Sequence, residues 1–151
     1  MADQQPPPPG TPMGRVFPRQ IAALDEIFSF LAGFIHRHRI DDDTSYAIRF
    51  AAEELFTNMV KYNQGTTDGI ALQVGVDEAG RVVRMELTDT GVDPFDPASL
   101  DAVNVDAPLE DRVPGGLGLH LVRAMVDDLS YDYADREMKV TVVKRLPATD
   151  G

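Results

Sequence analysis

Apolar residues at helical spacing in two successive runs, followed by runs at alternate spacing, constrain this chain most. Ile21, Leu24, Ile27, Phe28, Leu31, Phe34 and Ile35 recur every three or four positions, the period of an amphipathic helix. The run closes on His36-Arg37-His38-Arg39. Cations suit a helix C-terminus, where aligned peptide dipoles leave partial negative charge, and both histidines are read as that end effect. Asp41-Asp42-Asp43-Thr44 then supplies capping side chains for a second helix. It runs through Ile48, Ala51, Ala52, Leu55, Phe56, Met59 and Val60 to Tyr62, and Asn63-Gln64-Gly65 stops it.

Two strand-like runs follow, 70–76 and 82–88, with Asp77-Glu78-Ala79-Gly80 as the hairpin turn between them. Near the C-terminus 130–133 and 139–145 read as a second strand pair across Ala134-Asp135-Arg136-Glu137. Arg15-Val16-Phe17 is a candidate edge strand, because Pro18 would end it. Residues 89–114 carry no sustained period, and a structureless stretch of about 25 residues inside a compact domain is usually functional. Gly115-Gly116-Leu117-Gly118 leads from it into a third helix, 119–128. Helices grouped between antiparallel strands predict an α+β, two-layer sandwich.

Composition narrows the function classes. The 151 residues suit one domain. The Pro-rich stretch 1–14 is expected to be a disordered tail, 15–146 the folded domain and 147–151 a short tail. With 14 Lys plus Arg against 25 Asp plus Glu, the net charge is −11. That argues against direct nucleic-acid binding, which needs a basic face. Cysteine is absent, so disulfides, thiol nucleophiles and cysteine–zinc sites are excluded. Three histidines are too few for a self-sufficient histidine cage. No apolar run approaches the roughly 18–20 residues of a membrane span, and residues 1–10 lack the features of a secretory signal. The expectation is a soluble cytoplasmic protein.

Three constellations carry chemistry. On the second helix Glu54, Asn58 and Lys61 stand at i, i+4 and i+7 and share one face. The carboxylate can take a proton from a hydroxyl. The carboxamide oxygen can ligate Mg²⁺, which prefers hard oxygens, and the ammonium can approach a phosphate. The same pattern also suits a solvated Glu–Lys face. At the end of the second strand run, Asp89-Thr90-Gly91 can accept a hydrogen bond from an exocyclic amine such as adenine's. Gly91 lets the backbone pass close to a ring; alternatively, the pair is an Asp-Gly turn. Third, Gly115, Gly116, Leu117 and Gly118 at a helix start offer open N–H groups and the helix dipole to an anion. They fit neither a Walker A nor a Rossmann pattern.

In combination these segments resemble the histidine-kinase-like ATPase superfamily, shared by histidine kinases, gyrase and heat-shock chaperones. The nearest resemblance is to the small bacterial anti-sigma factor serine/threonine-protein kinases. AAEELFTNMVKY is similar to the family's N-box, DTGVDPFDP to its first glycine box, and PGGLGLHLVRAMVDDLSY to its second. The resemblance implies a mixed, mostly antiparallel sheet. It also implies Glu54 as general base, Asn58 as Mg²⁺ ligand, Asp89 on the adenine amine and Gly91 beside the ring. It implies Gly115, Gly116, Leu117 and Gly118 around the phosphates, residues 93–113 as an ATP lid, and Thr141 on the last strand near adenine. Two departures point away from histidine kinases: Asp93 and Pro114 stand where the wider superfamily often has glycine. No helix pair with a phosphoacceptor histidine is present.

The function implied is ATP- and Mg²⁺-dependent phosphorylation of a serine or threonine on an anti-sigma factor antagonist, with a sigma factor as the other client and a homodimer as the assembly. The rivals are an ATP-bound regulatory module without turnover, a hydrolytic switch and a nucleotide-free interaction domain.

Overall fold

The structure, a computed structural model, describes residues 12–62, 66–77, 79, 81–92 and 116–147. Strand β1 (Met13–Phe17) leads through a 3₁₀ turn (Ile21–Ala23) into α1 (Leu24–His38) and α2 (Asp42–Tyr62). Strands β2 (Ile70–Asp77) and β3 (Val82–Thr90) follow, then α3 (Gly116–Met125), β4 (Asp128–Ala134) and β5 (Glu137–Arg145). The five strands form one sheet in the order β1-β2-β3-β5-β4. Each pairing is antiparallel, so the described strands hold no parallel pair where a mixed sheet was expected.

Side chains alternate across the sheet with period two. Phe17, Ile70, Leu72, Val74, Met85, Leu87, Val140 and Val142 face one side and are buried there. They meet Ile27, Leu31 and Phe34 of α1, the long apolar stripe of α2, and Leu119 and Val122 of α3. Burying each large apolar side chain contributes about 1.5–3 kcal/mol. The Phe17 and Phe30 rings meet edge to face, 5.7 Å apart at 79°, which locks β1 onto α1. Helix α2 packs against both other helices and against β3 and β5. Ala51 and Ala52, both fully buried, keep that central helix close to its neighbours.

The helix ends follow from local chemistry. Arg39 sits at φ 51°, its N–H donates to the His36 carbonyl, and the Ile40 N–H donates back to Ile35 at 3.0 Å. This is a Schellman motif with Arg in the position that usually takes Gly. Asp41 accepts from the Thr44 N–H at 3.0 Å and so caps α2. Burial would raise the Asp41 carboxyl, but its hydrogen bonds with Thr44 outweigh this and hold it below the usual range.

Several boundaries differ from the sequence expectation, β3 among them, which runs on to Thr90 and so takes in Asp89. Met13 and Gly14, expected in the tail, pair with Val74 and Gln73, so the sheet ladder overrides their composition. Helix α3 begins at Gly116 and ends at Met125, about a turn earlier than periodicity suggests, because weak helix formers mask its first turn. The last hairpin turns through Asp135 and Arg136, both at positive φ, a two-residue turn that matches strand twist. The turn residues Glu78 and Gly80 lie outside the described set, as do the expected lid 93–113 and nearly all of the N-terminal tail.

Candidate nucleotide site

Helix α2 carries the first group. Glu54 is half-buried, Asn58 buried and Lys61 exposed, so the shared face grades from protein to solvent. Burial pushes the Glu54 carboxyl above the usual range; Glu53 adds to this and Lys61 partly opposes it. A carboxylate raised in this way is a better proton acceptor near neutral pH. Asn58 is only 7% exposed, and its buried Nδ2 has no hydrogen-bond partner among the described residues. A buried amide costs free energy unless something pairs with it.

That orphan group tests whether the site suits Mg²⁺. Turning the carboxamide exchanges N and O with almost no change of shape, so its oxygen can face a cation. Among the described residues no cluster of three or more Asp, Glu, His or Cys could hold a metal alone. One amide oxygen completed by phosphate oxygens and waters is a set that Mg²⁺ accepts. The residues present fit the ion.

The second group closes β3. Asp89 is fully buried and lies on the helix-facing side of the sheet. Both its carboxylate oxygens meet the guanidinium of Arg19, which leaves the end of β1. Just beyond, Gly91 sits at φ +70°. A Cβ there would stand 3.0 Å from Thr66 Oγ1 and 3.1 Å from Asp68 Oδ2, so both backbone angle and space require glycine. Asp68 in turn accepts from Thr90 Oγ1 at 3.3 Å, holding the 66–69 segment against the β3 end.

The third group opens α3. Gly116, Leu117 and Gly118 form its first turn, where backbone N–H groups have no partner within the helix. Leu119 and Val122 anchor the helix in the core, beside α2. Gly115 lies outside the described residues. The fold therefore brings α2, the start of α3 and the end of β3 onto one side of the sheet.

Thr141 is a correction. It pairs with Glu86 across β3–β5, whereas Asp89 pairs with Met138. Directly opposed residues share a face, so Thr141 lies on the sheet face away from Asp89, and Val140 occupies the helix-facing position beside it. A slip of one residue reverses a strand side chain's direction. Arg19 is the residue sequence reasoning missed. Its only signal was a lone cation between Pro18 and the apolar stripe, which reads as an ordinary helix start.

The model of the histidine kinase-like ATPase domain matches residues 17–144. Among solved structures, part of the chain that comprises the RsbU and RsbW domains of Rv1364c from Mycobacterium tuberculosis shares the fold, with a TM-score of 0.66 at 19% identity. The alignment covers 91% of this chain and 33% of that one, so this chain spans about a third of that protein's length. The SiaB–SiaC complex from Pseudomonas aeruginosa gives a TM-score of 0.59 at 14% identity, covering 87% of this chain and 88% of the matched chain. No curated protein sequence matches significantly. Among the described residues, no helix is long and apolar enough to cross a membrane. With the family model spanning nearly all of the described fold, this chain belongs to the histidine kinase-like ATPase domain family.

Proposed function

We propose that this protein binds ATP with Mg²⁺ between α2, α3 and the end of β3, and transfers the γ-phosphoryl group to a serine or threonine of an anti-sigma factor antagonist. The observation that carries the reading is the α2 face, where the Asn58 Nδ2, without a hydrogen-bond partner among the described residues, stands one turn from the raised Glu54 carboxyl. A face built only for stability gains nothing from either feature.

Bound with ATP, Mg²⁺ would neutralise phosphate charge, and Asn58 is the residue that would hold it. Asp89 accepts a hydrogen bond from the adenine amine, and Gly91 lets the backbone approach the ring. Lys61 meets phosphate charge at the outer end of the face. The N–H groups of Gly116, Leu117 and Gly118, with Gly115 before them, donate to phosphate oxygens. Glu54 takes the proton of the attacking hydroxyl. The hydroxyl oxygen bonds to the γ-phosphorus as the bond to the β,γ-bridging oxygen breaks and ADP leaves. Most of the acceleration comes from positioning and charge stabilisation.

A protein client is supported by the shared fold with a member of the SiaB–SiaC complex and with the RsbW-containing protein. The sigma factor as second client, the homodimer and the cytoplasmic setting belong to the same proposal. Incubation with γ-labelled ATP, Mg²⁺ and a candidate antagonist tests it. Label on the antagonist supports kinase action. Tight ATP binding without transfer leaves the alternative, a nucleotide-dependent module that sequesters its partner. No affinity for adenine nucleotides defeats both.

A further inference from the structure

Arg19 is 6% exposed at its side chain and Asp89 is fully buried. Nε of Arg19 donates to the Asp68 carbonyl at 2.9 Å and Nη1 to the Met59 carbonyl at 3.2 Å. Nη1 also reaches Asp89 Oδ2 at 3.4 Å, while Nη2 meets Oδ1. One guanidinium thus joins the last turn of α2, the 66–69 segment and the end of β3. Met59 follows Asn58 directly, and its carbonyl is among those a helix end leaves without an internal partner.

We propose that Arg19 is a positioning residue for base recognition: it fixes the orientation of the Asp89 carboxylate, so that the site accepts an exocyclic amine and rejects a 6-oxo purine. The inference rests on Asp89 contacting the base. Carboxylate oxygens accept hydrogen bonds, so an exocyclic amine is met where the carboxylate plane is turned towards it. Arg19 ties Asp89 to the last turn of α2 and to the 66–69 segment, so without it the carboxylate turns away from the exocyclic amine and discrimination between purines narrows. The paired N–H groups of arginine also set the carboxylate plane, which the single ammonium of lysine does not.

The test compares the Mg²⁺ complexes of ATP, inosine triphosphate and tripolyphosphate by calorimetry, using the full chain, Arg19→Lys and Arg19→Gln. Losing one charged hydrogen bond predicts a parent preference for ATP over inosine triphosphate of roughly 10- to 150-fold. Both variants should narrow that ratio by about ten-fold, while tripolyphosphate affinity stays within about two-fold of the parent. A merely structural role would weaken all three ligands together. The inference is overturned if the variants keep the parent ratio, or if they bind ATP more tightly, which would make Arg19 a plug. Loss of tripolyphosphate binding in both variants overturns it too, because Arg19 would then serve the whole site. A parent that binds tripolyphosphate but shows no base preference removes the underlying reading of Asp89, before any variant is made.

Discussion

The hydroxyl of Tyr133 on β4 donates to the backbone carbonyl of Val92, 2.8 Å away. The Val92 N–H donates to the Arg136 carbonyl at 3.1 Å, and the Arg136 guanidinium donates to the Gly91 carbonyl at 3.2 Å. The chain leaving β3 after Asp89 is therefore anchored to the β4–β5 hairpin just where the site needs a defined backbone. Tyr133→Phe removes one of these bonds and should cost about 0.5–1.5 kcal/mol. Urea denaturation should show a lower midpoint with an unchanged slope. ATP affinity should fall only a few-fold, because Asp89 itself is untouched.

Glu54→Gln separates chemistry from binding. Phosphotransfer should fall roughly 10²–10⁴-fold, the usual contribution of a positioned base, with ATP affinity nearly unchanged. In the parent the rate should drop as pH falls through the raised Glu54 pKa, at higher pH than for an ordinary carboxylate. Stability moves oppositely. A raised folded-state pKa favours the fold below the ordinary glutamate pKa, and that benefit is lost as pH rises through the raised value. Glu54→Gln should therefore melt above the parent at neutral pH, with the gap shrinking in acid.

Asn58→Ala should remove the Mg²⁺ dependence of nucleotide binding, read by calorimetry with and without the ion. Its Nδ2 has no partner among the described residues to lose, so the melting temperature without nucleotide should change little. A large drop in that temperature would make Asn58 a packing residue.

Asp89→Asn has two expected effects. ATP should bind about 10- to 150-fold more weakly for want of a charged hydrogen bond. The fold should also lose about 3–5 kcal/mol, the usual cost of leaving one member of a buried ion pair alone. Chemical denaturation of the nucleotide-free protein measures the second effect independently of the first.

Asp41→Ala should cost about 0.5–2 kcal/mol by uncapping α2. Its lowered carboxyl contributes stability present above the ordinary aspartate pKa and lost as pH falls through the depressed value. The difference between parent and variant should narrow over that acid range in pH-dependent melting curves.

Much of this molecule is legible in one dimension. Hydrophobic period alone orders the elements, because a helix buries every third or fourth residue and a strand every second. Glu54 and Asn58 on one face, Asp89 and Gly91 at a strand end, and glycines at a helix start are local patterns, so the chain announces them directly. Relations between distant segments are different. Nothing near Arg19 shows that it will meet Asp89, 70 positions on; only the sheet order and the packing of α2 bring them into one dry space, where the cost of desolvation makes the pair obligatory. Nothing near Thr141 shows which face it takes, since that depends on strand register, and one residue's slip reverses every side chain. The sequence by itself determined the order of helices and strands and put forward the candidate site residues; tertiary structure decided which charges are buried together and which side of the sheet each strand residue serves, because both depend on non-local pairing rather than on neighbouring sequence.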